Sequence, residues 1–140
     1  AAIDSMELDA FIGPCTVLQV PGGVITGEYV DKHFPKKCKR LLIKGGGRAF
    51  FMDSSAEELS GRGLMLIGTD SLSVGCAGNE TAPHKAFMQG GTAILEGLDL
   101  SEVQPGEYFL FAPPVLYDGL EAAPVRAVLI SDYIFWSGNH

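Results

Sequence analysis

At its centre the chain reads Leu64-Met65-Leu66-Ile67-Gly68-Thr69-Asp70-Ser71. The first four residues form an unbroken apolar run, which is typical of a strand that is covered on both faces of a sheet. The next four residues leave the end of that strand as a loop. Because ligands of open α/β sheets usually bind at the carboxyl ends of the strands, we expect a functional site near residues 68–71.

Three short helices are predicted, two before this strand and one after it. Ser55-Ala56-Glu57-Glu58 has the pattern of a capping box, so a helix should begin at Ser55. Thr26 is a candidate N-cap for a second helix that runs to about His33. A third helix is predicted over residues 83–89, because Gly90-Gly91 follows it.

Five further strands are predicted from apolar runs bounded by Gly and Pro. They cover Cys15–Val20, Leu41–Ile43, Thr92–Leu100, Tyr108–Phe111 and Val125–Ile130. With the central strand this makes about six strands to three short helices, which predicts an α/β fold with a mixed β-sheet. No internal repeat or change in composition marks a linker, so we expect a single domain over residues 1–140.

Composition excludes several classes of protein. Hydrophobic residues make up 46% of the chain and charged residues 19%, a balance typical of globular domains. A formal charge of −7 argues against nucleic acid as a partner, since phosphates attract clustered Lys and Arg. No apolar run is long enough to span a membrane. Three widely spaced cysteines without a Cys-x-x-Cys pair favour a reducing, cytoplasmic compartment, in which each cysteine acts as a small buried hydrophobe.

Glu96 is the most informative ionisable residue. If the strand continues from Thr92 to Leu100, alternation places Glu96 on the same face as Ile94 and Leu98. A carboxylate buried among aliphatic side chains needs a cation, a metal or a raised pKa. Two interpretations therefore stay open: an ion pair with Arg126 or Lys44, and a functional carboxylate.

Other candidate residues carry weaker signals when they are taken singly. His84 follows Pro83 at the start of a helix, and a lone histidine is more often structural than a metal ligand. Asp70 could orient a ligand or a histidine, or it could cap the turn after the central strand. Gly45-Gly46-Gly47 resembles a phosphate cradle only superficially, because the Walker-type Gly-Lys-Ser/Thr is absent, and backbone reversal is the better interpretation.

Several segments, taken in order, resemble the cyclase family of metal-dependent hydrolases, which includes bacterial kynurenine formamidase and isatin hydrolase. The similarity extends over nearly the whole chain. The matching segments are Met6-Glu7-Leu8-Asp9 with Ile12-Gly13-Pro14, Leu66 to Val74, Pro83-His84-Lys85, Ala93 to Leu98, Pro105-Gly106-Glu107-Tyr108 and Ala123-Pro124-Val125-Arg126-Ala127.

This resemblance implies a fold of the swivelling β/β/α type and a site at two residues. The family's later metal ligands are a His and a Glu separated by the same twelve positions as His84 and Glu96. It implies zinc or manganese as the metal, which suits imidazole and carboxylate ligands. It also implies hydrolysis of an amide, formamide or lactam-type C–N bond of a small molecule by metal-bound hydroxide. Asp70 would then orient this site.

One family feature is absent. Family members carry a His-x-Gly-Thr-His-x-Asp motif ahead of the Gly-Pro strand, and this chain lacks it. Two protein ligands bind a metal more weakly than the three or four of ordinary sites. We therefore expect an incomplete chain that lacks catalytic competence by itself, unless another polypeptide completes the site. The alternative is a non-catalytic binding or scaffold protein that kept the fold and lost the site, and for it we expect a homo-oligomer.

Overall fold

The computed structural model describes residues 5–117, 121–124 and 127–131. They form four helices: α1 (Ser5–Ala10), α2 (Gly27–His33), α3 (Asp53–Gly61) and α4 (Thr81–Gln89). Ten strands accompany them, which are β1 (Ile12–Gln19), β2 (Gly23–Ile25), β3 (Arg40–Lys44), β4 (Ala49–Phe51), β5 (Leu66–Thr69), β6 (Ala93–Leu95), β7 (Gly106–Phe111), β8 (Pro114–Tyr117), β9 (Glu121–Pro124) and β10 (Val128–Ile130). None of the helices in these ranges is long and apolar enough to cross a membrane.

Six of the strands form one sheet in the order β10-β7-β1-β3-β5-β6. Neighbours among β1, β3, β5 and β6 run parallel, whereas β7 pairs antiparallel with both β1 and β10. These six are the strands that the sequence predicts, so the predicted α/β fold with a mixed sheet is confirmed. The short pairs β2-β4 and β8-β9, and helix α1, were not predicted.

The central strand β5 is covered on both faces, as its apolar run predicts. Ile67 packs with the helices on one face, in a core that contains Leu41, Ile43 and Leu59. Leu66 lies in a second core on the opposite face, with Val17, Leu42, Leu95 and Leu110. Leu66 and Ile67 are both fully buried, and burying such a side chain contributes roughly 1.5–3 kcal/mol relative to exposure.

One predicted helix start agrees with the structure and another differs from it. Helix α2 begins directly after Thr26, whose hydroxyl accepts a hydrogen bond from the Tyr29 N–H at 3.1 Å, as predicted. Helix α3, however, begins at Asp53 rather than at Ser55. The Ser55 hydroxyl is buried and reaches back to the N–H of Met52 at 3.0 Å, so residues 53 and 54 join the helix.

Strand β6 is also shorter than the predicted strand over residues 92–100. It ends at Leu95, and the backbone turns at Gly97, where φ is +69°. That conformation is in the left-handed region that favours glycine, so the period of two ends before Leu98.

Arg40 is a buried cation at the start of β3. Its guanidinium group donates to the carbonyl of Asp9 through Nε at 3.2 Å and to the carbonyl of Pro14 at 3.3 Å. Burial lowers the pKa of Arg40, and the nearby groups of Cys15 and Asp9 oppose that shift. The guanidinium group lies where a side chain at Gly13 would be, so it ties the end of α1 and the start of β1 to β3.

The cysteines are free thiols. Cys15 is buried, and this burial raises the pKa of its thiol to about 12, in keeping with the predicted role as a small hydrophobe. Cys38 and Cys76 are half-buried.

We predict that Arg40→Met lowers the free energy of unfolding by about 2–4 kcal/mol. Methionine keeps much of the apolar stem but removes every donor, so the Asp9 carbonyl loses its charged partner. Urea denaturation monitored by circular dichroism measures the loss. Lys39→Met is the control, because Lys39 is exposed and its replacement should change stability by less than about 0.5 kcal/mol. Equal effects of the two variants would contradict a structural role for Arg40.

Candidate active site

A cavity of about 450 Å³ opens beside the carboxyl ends of β5 and β6. Its volume lies in the range of small-molecule sites. Ser73 contributes to its lining from the loop after β5, and Glu96 directly follows β6. Helix α4 and the residue before it provide the remaining lining residues, which are Glu80, Thr81, His84, Lys85 and Met88.

One face of α4 borders the cavity because its other face is held in the core. Phe87 is fully buried and packs edge-to-face on Phe51, with ring centroids 5.2 Å apart. Residues three and four apart lie on the same side of a helix, so Thr81, His84 and Met88 share the face that is turned away from this core. Sequence spacing around His84 could have identified Thr81 and Met88 as lining residues, although neither was singled out.

The two predicted ligands, His84 and Glu96, both line this cavity. Both side chains are exposed. The Glu96 Oε2 atom accepts a hydrogen bond from the Val74 N–H at 2.9 Å, which holds the carboxylate against the loop after β5. The tertiary structure therefore brings a carboxylate and an imidazole to one site from two different elements.

The predicted burial of Glu96 among aliphatic residues is wrong. Glu96 is exposed, because β6 ends one residue before it and the chain turns at Gly97. Of its two candidate ion-pair partners, Lys44 instead donates to the carbonyl of Val103 at 2.8 Å. Arg126 lies outside the described residues. Within the described ranges, no salt bridge involves Glu96.

Asp70 follows β5 and contacts the neighbouring loop after β3. Its carboxylate accepts hydrogen bonds from the N–H of Gly45 at 3.1 and 3.2 Å and from the N–H of Gly46 at 3.0 Å. In a phosphate cradle these N–H groups would bind an anion, but here they bind the protein's own carboxylate. The glycine run therefore serves to reverse the backbone, as the sequence analysis favours. Asp70 is not one of the described residues that line the cavity.

His33 does not contribute to this lining. His33 is in α2, where its ring lies against that of Tyr29 with centroids 4.4 Å apart. His140 lies outside the described residues. Sequence reasoning also passed over Glu80 and Lys85 as site residues, although Lys85 adjoins His84.

The metal-ligand side chains at the cavity are of the types that bind a divalent metal, but they are too few for an ordinary site. Imidazole and carboxylate are ligands of zinc and manganese, and His84 and Glu96 offer one of each. Across the side chains of residues 8–113 and 127–131, no three His, Cys, Asp or Glu residues lie close enough to hold one ion together. His84 and Glu96 thus fit a metal as a partial ligand set, which is short of the three protein ligands of ordinary catalytic zinc sites.

No protein-family model matches the chain. A kynurenine formamidase from Delftia acidovorans is 33% identical over 141 residues, and the alignment covers 92% of this chain and 68% of that protein. A solved structure described as a potential metal-dependent hydrolase with cyclase activity superposes with a TM-score of 0.80 at 26% identity, over 92% of this chain and 70% of the other.

Isatin hydrolase A from Labrenzia aggregata, bound to benzyl benzoate, shares the fold with a TM-score of 0.67 at 14% identity, over 91% of this chain and 66% of its own. The resemblance inferred from the motifs is therefore confirmed by sequence and by fold. With one third of its residues identical to a kynurenine formamidase over most of both chains, this chain belongs to the cyclase family of hydrolases.

Proposed function

We propose that this chain contributes to the metal-dependent hydrolysis of an amide-type C–N bond in a small molecule, with His84 and Glu96 as two of the metal ligands. The observation that carries the proposal is that these residues, twelve positions apart, line one cavity at the carboxyl ends of β5 and β6. The substrate would be an amide, a formamide or a lactam. The relative named kynurenine formamidase favours a formamide.

The chain's own residues would prepare the site in two ways. The Val74 N–H directs the Glu96 carboxylate, and burial of Phe87 holds α4 so that His84 faces the same space. Both ligands are therefore oriented by neighbours, as ligands in metal sites usually are. A divalent metal, zinc or manganese, would supply polarisation of the carbonyl group and a lowered pKa of bound water.

The ligand count sets a requirement on the active form. Because two protein ligands are fewer than catalytic metals usually have, the active form needs further donors besides His84 and Glu96. We propose a homo-oligomer as the form that acts. The cysteine pattern supports a cytoplasmic location.

Asp70 is proposed as a positioning residue for this site. By bonding to Gly45 and Gly46 it fixes the start of the loop that continues to Ser73 and Val74, at the border of the cavity. Its effect on a ligand would then be indirect.

The second candidate function is binding without catalysis. The observation that favours it is the lack of a group of three metal-ligand side chains among the described residues. Metal binding and turnover separate the two functions, as follows.

We predict that the purified 140-residue protein takes up about one equivalent of zinc or manganese, and that His84→Ala and Glu96→Ala each weaken this binding at least about tenfold, because each removes a ligand. Elemental analysis after equilibrium dialysis measures the metal content. His33→Ala and Glu102→Ala are matched controls outside the cavity and should bind like the unchanged protein. Unchanged binding in the His84 and Glu96 variants would show that the metal is held elsewhere.

We also predict that the metal-loaded protein releases formate from formanilide, and that Glu96→Gln lowers kcat/KM by about a hundredfold or more. The amide keeps the size of the side chain but is a poor metal ligand. Glu102→Gln is the control for the same change on the exposed surface. Metal binding without any release of formate would favour the non-catalytic function.

For Asp70→Ala we predict a free energy of unfolding lower by about 1–3 kcal/mol, because the N–H groups of Gly45 and Gly46 lose their acceptor. Asp70→Asn keeps an acceptor oxygen and should cost less. Because the same loop carries the Val74 N–H that holds Glu96, Asp70→Ala should also weaken metal binding by more than about twofold, and Asp70→Asn should weaken it less. Loss of metal without loss of stability would instead mean that Asp70 acts directly on a ligand.

A further inference from the structure

We propose that Lys85 is a specificity-determining residue that binds a carboxylate of the substrate and so selects anionic amides. The inference rests on the proposed function and assigns a role to a residue that neither the metal half-site nor the core uses. It follows from the position of Lys85, from the free state of its ammonium group and from the charge of the cavity.

Lys85 lies next to His84 on α4 and lines the same cavity as Glu96. Its side chain is exposed, so the ammonium group is accessible to a bound molecule. The flexible stem of lysine allows this group to reach across part of a cavity of about 450 Å³. A substrate whose carboxylate pairs with Lys85 would therefore place its amide bond close to His84.

Among residues 8–113 and 127–131, whose side chains the structure describes, no carboxylate lies within 4.0 Å of the Lys85 ammonium group. The two carboxylates of the cavity have other partners. Glu96 accepts from the Val74 N–H, and Glu80 accepts from the Gly78 N–H, each at 2.9 Å. By contrast, Lys32 pairs with Glu28 at 2.9 Å.

The charge balance of the cavity favours an anion once a metal is bound. Glu80 and Glu96 outnumber the single lysine, so the side chains that line the cavity carry a net negative charge. A divalent cation at His84 and Glu96 would make the net charge of the cavity positive. Attraction of an anionic substrate should therefore depend on metal as well as on Lys85.

The neighbouring residue indicates what the rest of the substrate is like. Met88 lines the cavity one turn after Lys85, and the residue is 57% exposed. A thioether side chain adapts to apolar groups and contacts aromatic rings favourably. Lys85 and Met88 together suit an amide substrate that has a carboxylate attached to an apolar or aromatic group.

The test compares two probes that differ by one carboxylate, 2-formamidobenzoate and formanilide. Their dissociation constants are measured by NMR titration of the full chain, with and without zinc, for the unchanged protein and for Lys85→Gln. Lys37→Gln is the matched control, because it makes the same change of charge at an exposed lysine outside the cavity.

We expect Lys85→Gln to weaken the binding of 2-formamidobenzoate by about three- to tenfold in the presence of zinc, since it removes one charge-assisted contact. Binding of formanilide should change by less than about twofold. Lys37→Gln should leave both probes unaffected. The inference is overturned if Lys85→Gln weakens both probes alike, if it matches Lys37→Gln, or if neither probe binds.

Release of formate from both probes by the unchanged protein reports separately on the proposed function. Discrimination at Lys85 without turnover would support the anion subsite and contradict the hydrolase proposal. Turnover without discrimination would support the hydrolase and overturn the role of Lys85.

Discussion

The loops that border the cavity are placed by the backbone pairing of β5 with β3 on one side and with β6 on the other. In this register Gly68 lies between Leu42 and Leu95, so the three strands end at nearly the same level. The loops that leave them are then close enough to bond. The Gly97 N–H donates to the Ser71 carbonyl at 2.8 Å, and Asp70 accepts from Gly45 and Gly46.

Packing on both faces holds this edge in place. Burial of Ile67 against the helices and of Leu66 against the opposite core makes β5 difficult to displace. Gly68 has no side chain because Leu42 and Leu98 occupy the adjacent space, at 2.4 and 2.9 Å from where a Cβ atom would be. The result is a rigid edge on which exposed polar side chains can be held at fixed positions, which is what a binding or catalytic site requires.

The cavity combines groups that are individually ordinary. His84 and Glu96 are exposed and make few contacts of their own, and Glu96 is oriented by the N–H of Val74. Their significance comes from sharing one cavity with Lys85, which has no salt bridge to the side chains that the structure describes, in a chain that belongs to a family of hydrolases. A carboxylate, an imidazole and an ammonium group there suit a metal and an anionic substrate better than they suit the core of a scaffold.

The sequence by itself determined the six strands of the main sheet, the α2 cap at Thr26 and the family, because apolar runs, caps and motifs are local signals. It misplaced Glu96, because alternation was carried past Gly97, and no local pattern showed that the backbone turns there. The family motif paired His84 with Glu96, but only the tertiary structure decided that Lys85 lines the same cavity and that Asp70 bonds the glycine loop. Those contacts depend on the parallel pairing of strands that are distant in the chain and on the burial of Phe87, and residue spacing carries no information about either.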